Sequence, residues 1–514
     1  MSIAKKKFYI TTPIYYVNAK PHIGHTYTTI AADVLARYHR MIGDKTFFAT
    51  GTDEHGAKIA EKAAELGKNP EELVDEVAAQ FQQAWEELNI SNDRFIRTTE
   101  KNHIKAVQNA LQFMYDKGDI YLGKYEGLYC QGCEQFLNEK DLVGGKCPDH
   151  QTEPEKMSEE TYMFKMSKYA DQLLKLIEKE ELKIRPLEKK NEIISFYKNE
   201  GLNDVSFSRK NVKWGISLPW DATHTAYVWS DAFLNYLTIL DWQGPEQDQG
   251  KAKEFWPADV QLMGKDILRV HATIWPAMLL SLGLPVQKEI FVHGFFVFDG
   301  QKVSKSLGNV IAPEDLVKKY GADVTRYLLM SSTVFGNDSD FSLSKFDEKY
   351  NADLANGLGN LIARVTNLLE TNKIMIKPVA SKKREIKEKY DEQMESLAID
   401  EALKTIWSVL RKCDEVITAK QPWKLSDAEA IKNILEPIVQ DLLFCADLLA
   451  PIMPTTSEKI KSIFTAVEIK KGESLFPRLN IYVIPACLPS GRRKRESRFF
   501  KIFLDPGSRP GMTK

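Results

Sequence analysis

Residues 8–12, Phe-Tyr-Ile-Thr-Thr, form a short apolar and β-prone run and predict a buried strand. Pro13, Asn18 and Pro21 then predict a loop. From about residue 22 to 41 the period changes. Ile30, Val34, Leu35, Tyr38 and Ile42 recur on one helical face, and Gly43 supplies a stop. Residues 46–50 predict the next strand. Strand, helix and strand within the first 51 residues open a parallel α/β sheet. Farther on, Asn69-Pro70-Glu71-Glu72 predicts a helix start. Asn69 caps, Pro70 fits the first turn and Glu72 closes a capping box. Leu73, Val77, Phe81, Trp85 and Leu88 continue that helix.

Across 121–154 this periodicity lapses. Glycines, cysteines and short β-like runs replace long helices, as expected of an insertion into the α/β domain. The α/β pattern returns near Thr225, with strand-like runs at 260–263 and 290–298. After Phe341 the chain reads as almost wholly helical, from about 346 to 464. The richest apolar stretch, 434–454, is broken by Glu436, Gln440, Asp447 and prolines, so it predicts a buried amphipathic helix and no membrane span. The expected division is 1–118 and 225–345 as the two halves of a Rossmann-like α/β domain, with 119–224 inserted between them. An all-α domain at 346–466 and a tail at 467–514 follow. The tail carries Arg492-Arg493-Lys494-Arg495 and reads as a solvated, poorly ordered end.

Length and composition narrow the function. A chain of 514 residues is too long for one domain. A formal net charge of -1 excludes a bulk-basic nucleic-acid binder, so any RNA contact must use locally gathered Lys and Arg. The basic start, residues 1–7, lacks the apolar segment of a signal peptide. Three of the six cysteines cluster with a histidine, which fits a reducing, cytoplasmic setting and a metal site better than a disulfide framework.

Three clusters carry candidate chemistry. His22-Ile23-Gly24-His25 falls between the first strand and its helix. Free N–H groups and the helix dipole favour anions there, Gly24 permits close approach, and the imidazoles can donate to phosphate oxygens. Taken alone, it reads equally well as a helix start with two polar side chains. Lys302-Val303-Ser304-Lys305-Ser306 is a cationic loop able to neutralise a leaving pyrophosphate, or else an exposed basic turn. Cys130, Cys133, Cys147 and His150 form two knuckles, with 13 residues between Cys133 and Cys147. Three thiolates and one imidazole suit tetrahedral Zn2+. With no open coordination position, the site is expected to be structural.

Together the first two clusters resemble the HIGH and KMSKS signature pair of class I aminoacyl-tRNA synthetases, with Val303 where methionine is usual. Residues 8–478 resemble the methionyl-tRNA synthetase family within that class. The resemblance rests on 12–16 (Thr-Pro-Ile-Tyr-Tyr), 51–56 (Gly-Thr-Asp-Glu-His-Gly), 227–232 (Tyr-Val-Trp-Ser-Asp-Ala), 264–267 (Gly-Lys-Asp-Ile) and the zinc knuckle. It implies His22, His25, Lys302 and Lys305 as catalytic residues. Gly24, Gly264, Asp266, Ile267, Ser304 and Ser306 would join them around ATP and Mg2+. It implies a methionine pocket of Pro13, Ile14, Tyr15, Tyr16, Asp53 and Trp229, completed by Ala232, Tyr236, Ile267 and His271. A thioether has no strong donor or acceptor, so such a pocket must select by shape with polarizable aromatic walls. The helical part resembles the family's anticodon-binding bundle. Asn360 and Arg364 share a helix face there, and Trp423 offers a stacking platform.

Longer members of the family add an OB-fold dimerising module. The segment after Arg478 is too short for one, so a monomer is expected. The editing synthetases for Ile, Val and Leu need a longer insertion than this chain has. The cysteine enzyme needs a zinc ligand before Cys130, where no cysteine occurs. A silent tRNA-binding module would not need these lysines and histidines. A small nucleotidyltransferase would leave the insertion and bundle without purpose.

Overall fold

The computed structural model describes residues 6–131, 135–137, 142–148, 151–210, 212–298, 301–302, 311–377 and 379–479. At its centre lies a parallel sheet of six strands: β1 (Lys7–Tyr16), β2 (Lys45–Asp53), β3 (Arg94–Arg97), β4 (Lys183–Arg185), β5 (Val260–Gly264) and β6 (Glu289–His293). Their order is β3-β2-β1-β5-β6-β4, and every neighbouring pair is parallel. Parallel pairing requires crossovers. Helix α1 (Ile23–Met41) supplies the one between β1 and β2. The strand order reverses at β1, with β2 and β3 on one side and β5 and β6 on the other. A crevice therefore opens beyond the carboxyl ends of β1 and β5, where α/β sheets bind ligands.

Asn69 caps α2 (Pro70–Glu87) through the capping box with Glu72, and Leu73, Val77, Phe81 and Trp85 are all buried. The expected loop at Pro13 is instead strand. β1 continues to Tyr16, and its register against β2 shifts between Thr11 and Ile14. That irregularity accommodates a proline, which has no N–H for the ladder. Ile42, expected on the buried face of α1, is its C-cap and 41% exposed. The run 290–298 divides into β6 and a separate strand, Phe296–Phe298, which pairs with Ser339–Phe341 and with Gln301–Lys302. Gly294 stands at the break, where an added Cβ would fall 2.1 Å from the backbone carbon of Asn337.

The insertion is an antiparallel sheet. Ile120–Cys130 pairs with Glu155–Phe164, flanked by Gln135–Leu137 and Val205–Ser206. β4 also comes from within 119–224, so part of that span builds the edge of the parallel sheet. The short helix α3 (Val228–Ala232) follows the insertion.

Beyond a π-helical turn at Tyr350–Gly359 come α4 (Asn360–Thr371), α5 (Arg384–Glu395), α6 (Ile399–Lys420), α7 (Ala428–Leu449) and α8 (Pro454–Thr465). Arg326 is a buried joint between this bundle and the sheet layer. It pairs with Asp33 of α1 at 2.7 Å and donates to the carbonyls of Pro451 and Ile452 at 2.9 and 2.8 Å. Among the described residues, no helix is long and apolar enough to cross a membrane.

Candidate active site

The first turn of α1 is built by its own histidines. His22 is the N-cap, and its Nδ1 accepts the Gly24 N–H at 3.1 Å. Nδ1 of His25 accepts the His22 N–H at 3.3 Å. Both Nδ1 atoms are acceptors, which places each ring proton on Nε2. The rings stack at 3.7 Å. Gly24 has a local reason as well, since an added Cβ would lie 3.1 Å from Cε1 of His22. Tyr15 braces the turn from below. It is buried, its hydroxyl lies 2.7 Å from Oγ1 of Thr29, and its ring stacks on Phe81. Thr28, one turn beyond Gly24, meets Nε2 of His293 at 2.6 Å, so the end of β6 is tied to the second turn of α1.

Next to this turn, the ends of β1 and β2 bring further candidate residues together. Tyr16 pairs in register with buried Asp53, and its hydroxyl donates to the His55 carbonyl at 3.1 Å. Pro13 and Ile14 are half-buried at the same strand end. Glu54 belongs to the framework. It is fully buried, and Arg97 grips it through two bonds of 2.7 and 3.0 Å.

A second group of candidate residues is aromatic. Half-buried Trp229 and buried Ala232 lie on one face of α3. Trp229 packs on Phe233 and edges onto His271. Tyr236 is buried and its hydroxyl meets Nε2 of His271 at 2.8 Å, while Nδ1 of His271 lies 2.9 Å from the Ile267 carbonyl. Burial lowers the His271 pKa to about 4, with the Ile267 bond opposing weakly. The neutral ring therefore donates from Nδ1 to Ile267 and accepts at Nε2 from Tyr236. Gly264 ends β5, where an added Cβ would lie 2.7 Å from the carboxylate of exposed Asp266.

His293 is likewise buried and lowered to about 4, again by burial first. Folded values below the ordinary 6.5 mean that stability is complete above about pH 6.5 and is lost as pH falls from there toward 4. Each ring contributes up to about 3 kcal/mol over that window. Urea midpoints measured from pH 7 to 5 should fall, and His271→Gln should show a shallower fall than the parent.

The cationic loop is only partly described. The Lys302 backbone pairs with Val297, while Val303, Ser304, Lys305 and Ser306 lie outside the described residues. Of the zinc set, Cys130 and Cys147 are buried and meet at Thr152. The Cys130 Sγ is 4.0 Å from Oγ1 of Thr152, and the Cys147 N–H donates to its carbonyl at 2.9 Å. Cys133 and His150 lie outside the described residues. Cys130 reaches Thr152 through its sulfur and Cys147 through its backbone N–H.

In the bundle, Asn360 is exposed at the start of α4. The Arg364 guanidinium lies 5.3 Å from the centre of the Trp423 ring and pairs with Asp414 at 2.6 Å. Trp423 is 49% exposed, which excludes a core role.

The family of class I tRNA synthetases (M) matches residues 8–157 and 150–366. The chain belongs to this family. The synthetase is 43% identical over 509 residues to the methionine–tRNA ligase of Clostridium acetobutylicum, covering 93% of this chain and 79% of that one. It is 42% identical over 472 residues to the methionine–tRNA ligase of Thermotoga maritima, covering 88% and 74%. Its fold matches Mycobacterium tuberculosis methionyl-tRNA synthetase bound by methionyl-adenylate with a TM-score of 0.85, at 33% identity over 92% of this chain and 100% of that one.

Several residues that the motifs do not single out pack beside the candidate site residues. His55 and Asp231 lay inside the strings 51–56 and 227–232, beside residues that were singled out. A carboxylate and an imidazole there were a usable signal. Arg209, buried with its guanidinium 4.4 Å from the centre of the Tyr227 ring, had none. Trp214, whose Nε1–H donates to the Glu54 carbonyl at 2.6 Å, had none either.

Proposed function

We infer that this synthetase activates methionine with ATP and transfers it to the 3' end of tRNA(Met). The observation that carries the reading is the pocket. It would be built from an aromatic cluster around a neutral His271 and from the end of β2, which bears buried Asp53. Such a site offers a thioether polarizable contacts without a competing charge, and gives an ammonium group a carboxylate.

In the first step the methionine carboxylate attacks the α-phosphate of ATP. The bond to the β-phosphate breaks and pyrophosphate leaves. In the second, the terminal ribose hydroxyl of tRNA attacks the adenylate carbonyl, and AMP departs. The carboxylate is already ionised, so the first step needs positioning and charge stabilisation in place of a base. His22 and His25 donate from Nε2 to phosphate oxygens beside Gly24. Gly264, Asp266 and Ile267 hold the adenosine. Lys302 and Lys305, with Ser304 and Ser306, take the departing pyrophosphate. Mg2+ bound with ATP would supply further positive charge to the phosphate oxygens. Pro13, Ile14, Tyr15, Tyr16, Trp229, Ala232, Tyr236 and His271 shape the methionine pocket, with Asp53 on the ammonium group. Asn360, Arg364 and Trp423 read the anticodon from the 346–466 domain. The setting is the cytoplasm, consistent with the clustered cysteines.

Incubation with labelled methionine, ATP and tRNA tests the reading. Acid-precipitable label should accumulate only when all three are present. Label that enters tRNA equally well from leucine would refute it.

We also propose that Cys130, Cys133, Cys147 and His150 hold one structural Zn2+. Structural zinc couples binding to folding. The purified chain should carry one ion, and Cys147→Ser should lose it and make the insertion sensitive to protease. A zinc-free chain with full activity would contradict this.

A further inference from the structure

Asp231 is a buried carboxylate that the proposed chemistry does not use. It is 1% exposed, yet two imidazoles are aimed at it. His55 Nδ1 lies 2.6 Å from its Oδ2 and His103 Nε2 lies 2.8 Å from its Oδ1. Nδ1 of His103 in turn lies 2.7 Å from Oγ1 of Thr238. Burial opposes the charge on Asp231, but the two histidines outweigh it and hold the carboxyl at about 2. A buried anion is costly unless fully bonded, and here both oxygens are.

The placement of the three partners is informative. Asp231 sits in α3 between Trp229 and Ala232, and a five-residue helix cannot hold its own orientation. His55 comes two residues after Asp53, and its carbonyl takes the Tyr16 hydroxyl. His103 belongs to the helix Lys101–Asp116 and is fully buried. Thr238 closes the turn Asn235–Thr238, which carries Tyr236. The segments that carry Trp229, Tyr236 and Tyr16 are thus bonded, directly or through one histidine, to a single carboxylate.

We propose that Asp231, clamped between His55 and His103, is a positioning residue that determines side-chain specificity. It fixes the separation between the ammonium-binding end at Asp53 and the aromatic face of Trp229 and Tyr236. The pocket then fits an unbranched thioether better than a branched chain of similar volume. The inference rests on the methionine reading above.

The test is steady-state pyrophosphate exchange with His55→Ala, His55→Asn and Asp231→Asn. Alanine removes the donor to Asp231, whereas asparagine keeps an N–H near the place of Nδ1. Loss of a hydrogen bond to a charged group should raise the methionine KM about 10-fold in His55→Ala and narrow the methionine-over-leucine ratio in kcat/KM similarly. The ATP KM should stay within about 2-fold of the parent, because the phosphate-binding turn is not part of this network. His55→Asn should recover most of the loss. Asp231→Asn, which keeps the shape and places an NH2 against an N–H, should repeat the methionine-selective defect. A purely structural role predicts that methionine and ATP constants rise together and that asparagine is no better than alanine. Either result overturns the proposal. If the unaltered chain exchanges best with another amino acid, the methionine reading fails. The contrast between alanine and asparagine, measured with that amino acid, then still decides whether the clamp positions the pocket.

Discussion

Replacing Lys305 by alanine is expected to cut methionine-dependent pyrophosphate exchange by about 100-fold or more, the scale of one preorganised charge contact in a transition state. Negative charge builds on the pyrophosphate as its bond to the α-phosphate lengthens, and Lys305 stands in the loop proposed to receive it. The root of that loop is well anchored. It leaves β6 through His293, whose ring holds Thr28 in the second turn of α1, and passes through the strand Phe296–Phe298 to Gln301–Lys302. The two segments proposed to bind phosphate are thereby tied together through their described residues. Methionine binding, followed by the fluorescence of Trp229, should be almost unchanged. Weakened methionine binding with an intact chemical step would refute the role.

Trp423→Ala is expected to lower kcat/KM for tRNA by roughly 5- to 100-fold, the equivalent of about 1–3 kcal/mol for one base stacked on an aromatic ring. The ring is 49% exposed and has Arg364 against it, an arrangement in which a flat cation and an indole together offer a face to an unstacked base. Exchange, which needs no tRNA, should remain near that of the parent, and so should the melting temperature. A parallel fall in exchange, charging and thermal stability would mark the residue as structural and remove the support for an anticodon role.

What the sequence made legible was local. The strand–helix–strand opening, the capping box at Asn69 and the helix start at His22 are short-range patterns, and each stands in the structure where its spacing put it. The exceptions are physical. Pro13 punctuates most chains, but at a register shift its missing N–H costs nothing. The run 290–298 is interrupted only by His293 and Gly294, and the backbone of Asn337 packs against Gly294 where it divides. β4 is three residues long and lies inside the insertion, too short for any period to register. The clamp at Asp231 joins residues 176 positions apart, a separation that no sequence window spans. Candidate residues flanking it could be named from motifs, but the reason they hold their places could not.

The central claim is that this pocket activates methionine. Amino-acid-dependent exchange of labelled pyrophosphate into ATP, run with each of the twenty amino acids in turn, tests it most directly. The account predicts strong exchange with methionine and far weaker exchange with leucine, isoleucine and cysteine. Exchange driven equally well by any of those three would contradict it.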